Sequence, residues 1–104
     1  MKKGRRGKYR DRFDIIAHVL ESARNGALKT NIMYSANLSF HLNEKYLNVC
    51  LENGLIEKTN EHYVTTKKGR EYLKHYYTLR VLTEKSSKIR EALQKLLSEA
   101  EKIG

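Results

Sequence analysis

The side chains best placed to do chemistry in this chain are cations, and the chemistry they suit is recognition of a polyanion. Lys2, Lys3, Arg5, Arg6, Lys8, Arg10 and Arg12 crowd the first twelve residues against one acid, Asp11. Interleaved with glycine and with nothing to bury, this run reads as a flexible arm able to lie along phosphates or enter a minor groove. The plainer reading is a solubilising tail. A second cluster, Lys67, Lys68 and Arg70, opens the last helical segment, where cations oppose the helix dipole. Their placement points to an external anion such as phosphate, or else to a solvated first turn. Lys29 and Thr30 sit at the start of a short helix, placed for a backbone contact that the helix amides reinforce.

A third set is polar and of mixed charge. His41, Glu44, Lys45, Asn48 and Glu52 recur at helical spacing on one face of a segment that Ser39 is placed to cap. Asn48 suits adenine and Lys45 suits guanine. The alternative is a solvated face that touches nothing. Glu44 and Glu52 repel phosphates and no arginine is present, which lowers sequence discrimination rather than binding. The candidate DNA contacts are thus Lys2, Lys3, Arg5, Arg6, Lys8, Arg10, Lys29, Thr30, Ser39, His41, Lys45, Asn48, Lys67, Lys68 and Arg70.

Other chemistries find little support. His18, His41, His62 and His75 lack ligand spacing and the single cysteine, Cys50, falls on an apolar helix face, so neither a metal nor a disulfide framework is expected. No glycine-rich phosphate loop, nucleophile motif or carboxylate pair is present, and neither an enzyme nor a cofactor is expected. No apolar run approaches a membrane span, and the basic start has no apolar signal core behind it. The expectation is a cytoplasmic protein, and a nucleoid-associated one if its polyanion is DNA.

The 104 residues suffice for one domain and carry a formal net charge of +9. That charge lies at the two ends: residues 13–65 hold four basic side chains against six acidic ones. From Asp11, Phe13, Ile16, Ala17, Leu20 and Ala23 repeat as a helix that Asn25-Gly26 stops. Thr30 is placed to cap a second helix carrying Ile32, Met33 and Ala36. After a break at Asn37-Leu38, the third helix carries Leu42, Tyr46, Val49, Cys50 and Asn53 on its inner side and ends at Gly54. A strand from Leu55 to Lys58, a turn at Thr59-Asn60-Glu61 and a return strand at Tyr63-Val64-Thr65 form a hairpin. Three helices and a hairpin describe a winged helix.

From Thr66 onward one helix of about 38 residues, about 57 Å long, is expected. Tyr72, His75, Leu79, Leu82, Ser86, Ile89, Leu93, Leu96, Ala100 and Ile103 follow alternating three- and four-residue steps, a heptad seam that requires a partner helix. In an antiparallel pair Leu79 meets Leu96, Leu82 meets Leu93, and His75 faces Ala100. A parallel pair would set His75 and Ser86 against their own copies and bring Lys85 near Arg90, so antiparallel is favoured. The expected partition is 1–10 as a basic arm, 11–66 as the winged helix-turn-helix and 67–104 as a dimerisation helix.

The run Lys29-Thr30-Asn31-Ile32-Met33-Tyr34-Ser35-Ala36-Asn37-Leu38-Ser39-Phe40 resembles the helix-turn-helix of the Sulfolobus 10a family of small archaeal DNA-binding proteins. Leu55-Ile56 and Tyr63-Val64-Thr65-Thr66-Lys67-Lys68-Gly69 resemble that family's strand pair and wing exit. The resemblance implies a mainly α, winged-helix dimer joined by an antiparallel coiled coil, an archaeal source, and binding of double-stranded DNA with little sequence preference in a chromatin-associated or architectural role. A sequence-specific regulator of the same fold and a protein–protein module are the competing expectations. RNA stays open as a partner, since a basic arm serves either polymer.

Overall fold

Asp11 starts the first helix. Its Oδ1 accepts from the Asp14 amide at 2.9 Å and Asp14 Oδ2 accepts from the Asp11 amide at 2.9 Å, a reciprocal capping box that puts an acid in the positive first turn. A computed structural model of the chain describes residues 9–103, with side chains through Leu97. Helix α1 runs Arg12–Ser22 and buries Ile15, Ile16, Ala17, Val19 and Leu20. This stripe is broader than the spacing alone predicts, because α1 packs against two further helices and a strand. Phe13, expected in the stripe, is instead half exposed at the helix start.

Gly26, at φ +96°, turns the chain into β1, Ala27–Leu28, a two-residue strand the sequence reading did not anticipate. It leads directly into α2, Lys29–Ser35, so the N-cap position belongs to Leu28, which makes no side-chain cap. Thr30 therefore lies inside the helix rather than capping it. Asn37 follows α2 at φ +55°, a left-handed conformation that asparagine tolerates better than most residues. Helix α3, Phe40–Glu52, then begins on Ser39, whose Oγ accepts from the Leu42 amide at 3.2 Å.

The inner face of α3 is Asn43, Tyr46, Leu47 and Cys50, not the expected stripe headed by Leu42. Leu42 and Asn53 are exposed. The buried polar residue explains the difference: Asn43 donates its side-chain amide to the Lys29 carbonyl at 3.2 Å, tying α3 to the start of α2. That bond satisfies the amide nitrogen alone; Asn43 Oδ1 is buried and accepts no hydrogen bond among the described residues, a cost that the tie to α2 offsets in part.

The hairpin is β2, Ile56–Thr59, and β3, His62–Thr65. Thr59 pairs with His62, leaving a two-residue turn in which Asn60 takes φ +58°. β1 adds to the outer side of β3, giving a three-stranded antiparallel sheet in the order β1-β3-β2. Thr65 locks this sheet to α1: its buried Oγ1 donates to the Leu20 carbonyl at 2.6 Å and its amide to Ala23 at 3.0 Å.

Helix α4 spans Lys67–Ile103, 37 residues. Thr66 begins it, its Oγ1 accepting from the Gly69 amide at 3.1 Å and donating to the Gly54 carbonyl at 2.6 Å. Gly69 sits where a Cβ would lie 2.2 Å from the Leu55 carbonyl oxygen, so the first turn of α4 can press onto that backbone only with glycine there. Two units divide after Lys74, and α4 from His75 onward is a unit of its own.

Candidate nucleic-acid interface

Helix α3 turns His41, Lys45, Asn48 and Glu52 outward, on the side opposite its buried stripe. Four residues at steps of three and four form one strip along the helix. Ser39 holds the first turn in shape, and that turn contains no acid. The Lys45 ammonium lies 5.4 Å from the centre of the Tyr46 ring, a contact that steadies a long side chain while leaving it exposed.

Glu44 stands at the edge of this strip and is bonded to Lys29 across the α2–α3 gap. Donating to the Glu44 carboxylate holds the Lys29 ammonium above the usual lysine range. Lys29 is thus a cation with a local counter-ion, at the flank of the strip, and Thr30 is exposed beside it.

The cluster at the start of α4 divides. Lys68 donates to the Asn53 carbonyl at 2.8 Å, at the negative end of α3, and Arg70 donates to the Thr65 carbonyl at 3.3 Å. These partners account for two cations placed against the α4 dipole. Lys67 is exposed and makes no side-chain bond among the described residues.

Arg10, the last cation of the expected arm, directs its guanidinium inward. Nη1 lies 2.8 Å from His18 Nδ1 and donates to the Ala36 carbonyl at 2.7 Å, while Nη2 donates to Asn37 at 2.8 Å. The residue thereby ties α1 to the α2–α3 turn. Lys2, Lys3, Arg5, Arg6 and Lys8 lie outside the described residues.

Of the expected seam, Tyr72 is half-buried and donates its hydroxyl to the Phe13 carbonyl at 2.9 Å, which anchors it in the winged part. Leu79, Leu82, Ile89, Leu93 and Leu96 are each more than half exposed, and His75 and Ser86 are exposed as well. Ala100 and Ile103 lie within α4.

Two residues outside the expected contacts stand out by exposure: Tyr34 at 77% and Phe40 at 69%. The signal for Phe40 was its place directly after a capping serine. A shallow cleft of about 260 Å³, lined by Phe13, Ile16, Val49, Leu55 and Tyr72 with Arg12 and Lys68, includes no residue of the α3 strip. Burial pushes the Cys50 thiol up to about 12, leaving it a neutral core group. Among the described residues no three His, Cys, Asp or Glu side chains gather as a metal would require, and no helix is long and apolar enough to cross a membrane.

A family model described as winged helix-turn-helix matches residues 9–84. The uncharacterized protein MJ0287 of Methanocaldococcus jannaschii is 34% identical over 79 residues, covering 74% of this chain and 81% of that protein. A second uncharacterized protein of that organism, MJ0290, is 41% identical over 61 residues, covering 58% of this chain and only 29% of the relative. Among solved structures, Sso10a-2, a DNA-binding protein from Sulfolobus solfataricus, superposes with a TM-score of 0.77 at 23% identity, over 85% of this chain and 97% of that one. The chain belongs to the winged helix-turn-helix family and shares its fold with Sso10a-2.

Proposed function

We propose that the protein binds double-stranded DNA as a homodimer, with little sequence preference and an architectural, chromatin-associated role in the nucleoid. The observation that carries this reading is the α3 strip: His41, Lys45 and Asn48 stand in solvent on a serine-capped helix after a tight turn. Helix-turn-helix proteins meet base edges with such a helix. Support also comes from the fold shared with Sso10a-2, which is described as DNA-binding. The activity is binding alone, with no catalytic step and no cofactor.

Phosphate contacts fall to the arm cations Lys2, Lys3, Arg5, Arg6 and Lys8, with Thr30 and Lys67 at the flanks. Lys29, Lys68 and Arg70 contribute charge from side chains that also serve local partners. Low discrimination follows from the chemistry of the strip, which offers one Lys, one His and one Asn beside the repelling Glu52. The wing takes part with its exposed Lys58, beside Glu57 and Glu61.

Homodimerisation is proposed from α4. A helix of 37 residues, about 56 Å long, leaves five large aliphatic side chains of one seam in water unless another helix covers them. An antiparallel pair would give a dimer two DNA-binding heads, suited to bending one duplex or bridging two. In this reading residues 1–10 form the arm, 11–66 the DNA-binding part and 67–104 the dimerisation helix.

The test is fluorescence anisotropy with two unrelated duplexes of about 30 base pairs over a salt series, where each phosphate neutralised contributes a log–log slope of about −0.9. Similar affinity and a steep slope on both are expected; binding to neither would sink the proposal. The exposed amide of Asn48, suited to a bidentate adenine contact, favours a second reading as a sequence-specific regulator. A footprint confined to one site would establish it.

A further inference from the structure

We infer that Phe40 is a specificity-determining residue of this surface: its ring covers the C5-methyl group of thymine, so the protein distinguishes thymine from a base lacking that methyl. The inference deepens the DNA-binding reading and rests on it.

Phe40 is the first residue of α3, directly after the Ser39 cap. Side chains of a helix lean toward its N-terminus, and Phe40 has no preceding turn to lean on. The residue is accordingly 69% exposed, while the polar Asn43 takes the buried place in the same turn. An aromatic ring held at the leading end of a recognition helix meets water in the free protein and base edges in a complex. The thymine methyl is the one apolar group on the major-groove edges of the bases, and a phenylalanine contact is one way to read it. The surroundings suit that occupant. His41 and Lys45 follow on the exposed side, and the first turn of α3 has no carboxylate to repel phosphates. A protein partner would cover the ring equally well, but would be indifferent to the bases.

The effect is modest by nature. One methyl group taken out of water is worth about a fourfold change in affinity. That yields a bias toward A·T-rich DNA rather than an operator, in keeping with low discrimination elsewhere on the strip.

The experiment compares a duplex of about 30 base pairs with the same duplex carrying uracil at every thymine, by anisotropy across a salt series. The wild-type protein is expected to bind the thymine duplex at least about fourfold more tightly. Phe40→Ala is expected to bind both alike with an unchanged salt slope, because no phosphate contact is lost; circular dichroism checks its fold. Phe40→Leu keeps an apolar contact and should retain part of the gap. Equal wild-type affinity for the two duplexes, or a gap that persists in Phe40→Ala, overturns the inference while leaving DNA binding intact. Failure to bind either duplex overturns both.

Discussion

The Arg10 guanidinium lies 2.8 Å from Nδ1 of His18, eight residues along the chain, and its remaining donors reach the carbonyls of Ala36 and Asn37. A guanidinium can only donate, so His18 Nδ1 accepts and its proton sits on Nε2. One side chain thereby joins the start of α1 to the turn between α2 and α3. It holds that turn where Asn37 adopts its left-handed conformation, and so fixes the angle at which α3 leaves it.

Arg10→Gln is therefore expected to act on stability. Two charge-assisted bonds to carbonyls at a half-buried site amount to about 2 kcal/mol. Urea unfolding should show a lower midpoint with unchanged slope. In DNA titrations the salt slope should stay the same, whereas Arg5→Gln should reduce it by about 0.9. A variant as stable as wild type with a reduced slope would make Arg10 a phosphate contact instead.

Gly69→Ala sets two effects against each other. Helix propensity favours alanine by about 1 kcal/mol. The new Cβ, however, would lie 2.2 Å from the Leu55 carbonyl oxygen, and that oxygen is held by the Thr66 amide at 3.0 Å. Backbone on backbone cannot give way cheaply, so a net loss of about 2 kcal/mol is expected. A gain in the unfolding midpoint would show that α4 is free to shift.

These two positions mark the limit of what the sequence makes legible. Local signals carried the element boundaries: Asp11 and Ser39 are caps, Gly26 and Gly54 take positive φ, and Asn60 makes the hairpin turn. Tertiary contacts carried the rest. The faces of α3 are set by Asn43 bonding a carbonyl fourteen residues earlier, which no periodicity encodes, so spacing alone turns Leu42 inward in place of Asn43. Arg10 looks like its arm neighbours until the α2–α3 turn comes within reach. For the candidate contacts, the outward strip of His41, Lys45 and Asn48 was readable from spacing, whereas the partners of Lys29, Lys68 and Arg70 were not.

Cys50 is expected to be inert. The folded thiol is pushed up to about 12 from an ordinary 9.0, so at neutral pH it is both covered and protonated. A thiol reagent should label it only after unfolding. The same shift gives a pH dependence of defined sign. Above pH 9 the unfolded thiol ionises first, so this group's contribution is complete below that value and declines toward pH 12 by at most about 1.4 kcal/mol per unit. Rapid labelling of the native protein at pH 7 would contradict the packing of α3.

Lys45→Ala and Asn48→Ala should separate charge from readout. Removing Lys45 is expected to weaken binding on any duplex and to lower the salt slope by about 0.9 if the ammonium meets phosphate. Removing Asn48 should leave the slope unchanged, and any loss of about 1–3 kcal/mol should depend on the adenine content of the site. Both side chains are exposed, so neither change should move the unfolding midpoint. Unchanged affinity in both variants would remove the outward face of α3 from the interface.

The last prediction concerns what covers α4. Leu82 and Leu93 are both more than half exposed, and an antiparallel register would pair them across two copies. Leu82→Glu would then place a carboxylate opposite Leu93 of the partner subunit in each half of the dimer, burying an unpaired charge twice. Sedimentation equilibrium should show a dimer for the wild type and a monomer for the variant. The winged part, whose fully buried side chains Leu20, Ile32, Cys50, Ile56 and Leu73 all precede His75, should remain folded by circular dichroism. Leu82→Lys combined with Leu93→Glu should restore the dimer if the register is antiparallel, since each lysine then faces a glutamate. In a parallel pair each would face its own copy, and the double variant would stay monomeric.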